Sequence, residues 1–210
     1  MRATLRILIC LAAAALGGAA VASADDTVMQ RSELLLRQSF SSATSEQWSK
    51  HLQQDSTQAL CSKYRNQPPP EVAGQIAADA QSSMRYPEPH HLTGDWKAGE
   101  KLASIGAGGQ IGRIQPDRPD TPRGGNCYAC HALAPTEVAA GTLGPSLTHY
   151  GRRQGTSPEA IRSVYQRIYN AQAFVPCSVM PRFGHNGWLT PKQIANIVAY
   201  LLDPESPVNK

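Results

Sequence analysis

Apolar positions along the second half of the chain recur at helical spacing. The clearest run is Ile194, Ile197, Val198, Leu201 and Leu202, an i, i+3, i+4, i+7, i+8 stripe that Pro204 stops. It comes after Thr190-Pro191-Lys192-Gln193, in which a Thr cap, a proline at the first helical position and a glutamine at the third mark a helix start. Ser157-Pro158-Glu159 opens a second helix that reaches Asn170, with Ile161, Val164, Tyr165 and Ile168 on one side. A third, from Asp95 to Ile105, carries Trp96, Leu102 and Ile105 as its apolar side. No segment alternates with a period of two and no internal repeat is present, so the pattern predicts an all-α class.

Residues 25–86 are polar and rich in Gln, Ser and Ala. Helices are expected over Arg31 to Phe40, Ser45 to Arg65 and Glu71 to Met84. Thr44-Ser45-Glu46-Gln47 has capping-box form ahead of Trp48 and Leu52, and Pro68-Pro69-Pro70 forces a break before Glu71. The stretch has too few large apolar residues to fold alone and should lie against the C-terminal domain. Pro87 and Pro89 mark the boundary between this extension and a domain over 87–210, in which 106–126 reads as a long Gly/Pro/Arg/Asp loop.

The first 24 residues change the picture, because Arg2 and Arg6 precede an apolar run from Ile7 to Ala22 and the small-residue exit Ala22-Ser23-Ala24. This is the form of a cleaved secretory signal, and its apolar run is shorter than the ~20 residues of a spanning helix. Cys10 lies within it and is set aside with it. The full chain carries a net charge of +4 at pH 7. Losing two arginines brings it close to balance, which argues against nucleic-acid binding. Nothing after residue 24 is long and apolar enough to cross a membrane, so the expected product is soluble in an oxidising space, most simply a periplasm.

Four cysteines remain, Cys61, Cys127, Cys130 and Cys177. Cys127-Tyr128-Ala129-Cys130-His131 carries the strongest chemistry: two thiols separated by two residues can add to the vinyl groups of a haem, which places the adjacent imidazole on the iron. A thioredoxin-like pair would need a βαβ context, and a zinc site a second ligand pair, and neither is supplied. The sixth iron position falls to a methionine among Met29, Met84 and Met180, to His149 or His185, or to none. Met180 is favoured, since it stands before a proline in a loop leading into the last amphipathic helix, and a thioether is a soft neutral ligand. Gly144-Pro145-Ser146-Leu147 is a rigid turn that can offer a carbonyl to the other ring nitrogen of His131.

Taken together these pieces resemble the class I cytochrome c family over residues 93–204. The resemblance implies that the first and last helices cross near Gly99 and Tyr200, that Cys127 and Cys130 hold one haem c, and that His131 and Met180 ligate its iron. It implies also that the Pro145 carbonyl orients His131. The loop over 106–126 departs from the small members of the family. The wording CSVMPRFGHNGWLTPKQIANIVAYLLDPESPV, with NCYACHAL and GTLGPSL, is similar to the SoxX subunits of SoxAX cytochromes, in their long form with an N-terminal helical extension. That likeness implies a periplasmic heterodimer with SoxA, acting as an L-cysteine S-thiosulfotransferase that couples thiosulfate to a cysteine of the carrier SoxYZ. The chain would then be the electron-transfer subunit, passing electrons to a soluble cytochrome c, with the catalytic cysteine on SoxA and no catalytic residue here. A free-standing periplasmic electron shuttle is the alternative.

With Cys127 and Cys130 taken by haem, an exported chain is expected to pair Cys61 with Cys177. Two other readings of Cys177 stay open: a sulfur-carrying catalytic thiol, and a copper site shared with Met180. Arg123, Arg152, Arg153 and Arg182 read as solvated side chains and Trp188 as core or a propionate donor, and none is assigned.

Overall fold

The computed structural model describes residues 24–89, 91–107, 118 and 120–210. The signal sequence up to residue 23 and residues 108–117 and 119 of the expected 106–126 loop therefore lie outside the described residues. Among those described, every regular element is helical: α1 (Ala24–Ser39), α2 (Ser45–Gln47), α3 (Ser56–Lys63), α4 (Pro70–Ser82), α5 (Trp96–Ser104), α6 (Tyr150–Gln154), α7 (Pro158–Tyr169) and α8 (Pro191–Leu202). The chain divides into two compact units, one ending at Glu46 and the other running from Gln47 to Lys210. In the first, α1 carries exposed Val28, Met29, Leu34, Leu35 and Leu36.

Within the second unit α8 is the central element. The Thr190 hydroxyl accepts from the Gln193 N–H, and the Gln193 side chain accepts from the Thr190 N–H at 2.8 Å, so the helix starts where the capping box predicts. Ile194, Ile197, Val198, Leu201 and Leu202 are all buried. α8 packs against α5, α6 and α7. The α5 crossing is close because residue 99 is glycine: a Cβ there would stand 2.0 Å from the Asn196 carbonyl oxygen and 2.9 Å from the Tyr200 Cβ. The chain end is folded in as well, with buried Asn209 accepting from the Gly151 N–H at 2.8 Å and donating to the carbonyls of Leu201 and Asp203.

Residues 47–86 belong to the same compact unit as residues 87–210. Met84 is buried in the main core, the Tyr165 hydroxyl donates to the Arg85 carbonyl at 2.6 Å, and Gln166 donates to the Tyr86 hydroxyl at 2.8 Å. The helix-compatible stretch from Ser45 to Arg65 is divided between short helices. After α2 the chain makes a π-helical turn over Trp48–Leu52 and restarts at Ser56. The cause is Asp55, whose carboxylate accepts from the Gln58 N–H at 2.8 Å while Gln58 Oε1 accepts from the Asp55 N–H at 2.9 Å. That capping box sets a new helix start inside a run whose composition alone favours continuity. α4 starts at Pro70, one residue ahead of the expected Glu71.

Candidate haem site

Cys127–Ala129 form one 3₁₀ turn, with the Cys130 and His131 N–H groups donating to the Cys127 carbonyl at 3.1 and 2.9 Å. The turn is fastened to the end of α5 through Gly125 N–H to the Leu102 carbonyl and Asn126 N–H to the Ile105 carbonyl. The segment after it folds back over it: the N–H groups of Gly141, Gly144 and Leu147 donate to the carbonyls of Tyr128, Cys130 and Ala132, each at 2.8 Å. This return path brings the Pro145 carbonyl to 2.7 Å from His131 Nδ1. With Nδ1–H donating there, the tautomer is set and Nε2 keeps its lone pair for a metal. Arg153, an exposed side chain as expected, also secures this segment by donating to the carbonyls of Ser146 and Thr148.

The Met180 loop comes from the other side. Cys177 sits at φ 62°, in the left-handed region, and its N–H donates to Gln172 Oε1 at 2.9 Å. Its sulfur is bonded to Cys61. Both cysteines are buried in a small cluster with Ile76, whereas Met180 packs on the main core. The two sulfurs of this loop therefore diverge, and the disulfide removes Cys177 both as a nucleophile and as a copper ligand beside Met180. Arg182, expected to be solvated, is only 7% exposed and pairs with Asp55 at 2.5 Å.

Cys127, His131 and Met180 line one cavity. Its walls are apolar: Leu133 and Leu147 from the haem-motif side, Ile168 from α7, Phe183 from the Met loop, Ile197 and Leu201 from α8. Cys130 is half-buried at the end of the turn and does not line this cavity. The other ligand candidates are elsewhere: Met84 is in the core, Met29 is on exposed α1, and neither His149 nor His185 lines the cavity. His149 Nδ1 is buried without a hydrogen-bond partner. Burial, with Cys130 adding to it, pushes the Cys127 thiol up to about 12. A redox-active thiolate of thioredoxin type needs the opposite shift. Trp188 Nε1 donates to the Gly124 carbonyl at 2.8 Å, beneath the Arg123 guanidinium, which ties the last loop to the approach of the haem motif.

The family model of cytochrome c matches residues 123–203, the stretch that holds Cys127, Cys130, His131, Pro145 and Met180. A protein of Aquifex aeolicus (strain VF5), described as an uncharacterized lipoprotein, is 42% identical over 158 residues, spanning 75% of this chain and 73% of that protein. The chain contains a cytochrome c domain over residues 123–203. It therefore carries covalently bound haem c and works in electron transfer.

The residues present fit that group. An apolar cavity with thiol, imidazole and thioether on its walls suits a haem that is shielded from water, and a glycine at 144 keeps the His131 side clear. A Cβ on residue 144 would come within 2.2 Å of His131 Cε1 and 2.5 Å of Nδ1. The haem supplies a reversible one-electron couple; the protein supplies a fixed imidazole and a dry surround.

Proposed function

We propose that His131 and Met180 are the two axial ligands of the haem, with Cys127 and Cys130 as its covalent anchors. The observation that carries this is the convergence of His131 and Met180 on one apolar cavity that no other methionine or histidine among the described residues lines. Two strong-field protein ligands leave no open position for substrate, which makes the chain an electron carrier without acid, base or nucleophile of its own. Its own residues act by holding the imidazole through the Pro145 carbonyl, excluding water with Leu133, Leu147 and Ile197, and keeping the thioether loop in place.

We propose further that this carrier is the monohaem subunit of a SoxAX-type L-cysteine S-thiosulfotransferase. What supports this is the wording of the Met180 loop and the final helix, together with a helical N-terminal extension joined to that loop. In this reading SoxA supplies the reactive cysteine, SoxYZ carries the substrate cysteine, and electrons leave to a soluble cytochrome c. The disulfide-bonded state of Cys177 is consistent with a reactive cysteine that belongs to the partner. The compartment is the periplasm, with the mature chain starting at Asp25. A relative described as a lipoprotein raises membrane anchoring as the other outcome; an acylated N-terminal cysteine in the purified protein would establish it.

The test is purification of the tagged holoprotein from its native host. A 1:1 complex with a second haem c protein, reduced by thiosulfate only when SoxYZ is present, is the expected result. A monomer that thiosulfate and SoxYZ never reduce would leave it a free-standing shuttle.

A further inference from the structure

α3 touches the Met180 loop twice, and the two contacts straddle the methionine. Its capping residue Asp55 pairs with Arg182, two positions after Met180, and its Cys61 is bonded to Cys177, three positions before. The first contact joins residues 127 positions apart and the second residues 116 apart, so neither belongs to the local fold of the loop. Asp55 and Cys61 also lie outside the stretch that matches cytochrome c. The loop itself is weakly built: the Met180 N–H donates only to its neighbour Ser178, at 3.2 Å, and flanking Val175 and Val179 are 55% and 68% exposed. A loop with few internal bonds opens locally at low cost unless something outside it holds it.

We propose that Asp55, acting through Arg182, is a positioning residue for the Met180 thioether, so that α3 is a strap that slows departure of the methionine from the iron. This rests on the axial-ligand reading above. Arg182 is the buried member of the pair at 7% exposure, so removing the carboxylate leaves a guanidinium without its partner and favours loop conformations in which it reaches water. Asp55 plays two parts that can be separated. Its capping of Gln58 needs only a side-chain oxygen, which asparagine supplies equally well. Its hold on Arg182 needs the charge.

The experiment compares ferric wild-type holoprotein with Asp55→Asn and Gln58→Ala. It reads the weak far-red charge-transfer band of a thioether–iron bond and the rate at which added imidazole displaces the methionine. Asp55→Asn is expected to speed displacement about tenfold and weaken the band. Gln58→Ala, which loosens the start of α3 but leaves the Arg182 contact, should match wild type. Arg182→Lys, which keeps the charge and loses the planar fork, should fall between them. Unchanged displacement in Asp55→Asn would overturn the proposal, as would an equal increase in Gln58→Ala. A wild-type protein without the band would instead overturn the axial-ligand reading beneath it.

Discussion

His131 Nδ1 and the Pro145 carbonyl oxygen stand 2.7 Å apart. That contact exists because the chain between them doubles back over the Cys127–Cys130 turn and because residue 144 has no side chain to push the ring away. Gly144→Ala would set a methyl group 2.2 Å from the ring. The ring or the turn must then shift, at a cost of roughly 1–3 kcal/mol. The expected outcome is a lower melting temperature of the holoprotein together with a changed haem absorption spectrum. A melting curve and spectrum matching wild type would show that the Gly144 approach does not set the imidazole.

Cys61 and Cys177 join positions 116 apart in the sequence. In the chain-entropy account such a crosslink stabilises the folded state by up to ~5 kcal/mol, with any native strain subtracting from it. A Cys61→Ser/Cys177→Ser double variant should unfold at clearly lower urea concentration. Hydrogen exchange should locate the loss first in α3 and α4, whose burial against the rest of the unit rests on the small cluster of Cys61, Ile76 and Cys177. Protection in α3 and α4 equal to that of wild type would mean that the bridge is not what holds them.

The two strongest helices, α7 and α8, were legible because their signals are local: Ser157 and Thr190 cap them, a proline comes after each cap, and the apolar stripes have one period. The same holds for the haem motif and the Gly-Pro turn, whose residues sit within a short span. What escaped was set by distant contacts. Arg182 in a Pro/Gly loop has the local look of a solvated side chain, and only the tertiary fold brings Asp55 to it from 127 positions away. The Asp55-Ser56-Thr57-Gln58 capping signal was present, but the Gln/Ser-rich run around it has the composition of a continuous helix and hid the start of α3. α6 is a single short helix of five residues after a left-handed His149, too brief to show a period. The crossing of α5 and α8 was visible only through the family resemblance, since a lone Gly99 has several ordinary explanations.

Acid should weaken the strap. Burial by itself would raise the Asp55 carboxyl, but the Gln58 N–H and the Arg182 guanidinium outweigh it, with His185 adding, and hold the group below its usual value of 3.8. Burial first, then Arg182, lowers His185 from its usual 6.5 against the opposing pull of Asp55. Both groups bind protons more readily in the unfolded chain than in the folded one, so stability rises with pH across each window. On acidification the His185 contribution starts to fade near its unfolded value of 6.5, and that of Asp55 near 3.8; each is lost as pH falls through the folded value. Urea midpoints measured from pH 8 downward should decline in these two steps. His185→Gln should abolish the upper step and Asp55→Asn the lower. A midpoint that stays flat through both ranges in wild type would remove this account of the cluster.

The account stands most directly on the pairing of His131 with Met180 across the haem. Near-infrared magnetic circular dichroism of the ferric holoprotein separates thioether from nitrogen ligation. Wild type is predicted to give the histidine–methionine signature, and Met180→Leu to lose it and to bind carbon monoxide when reduced. A wild-type signature of two nitrogen ligands, or one left intact in Met180→Leu, would contradict it.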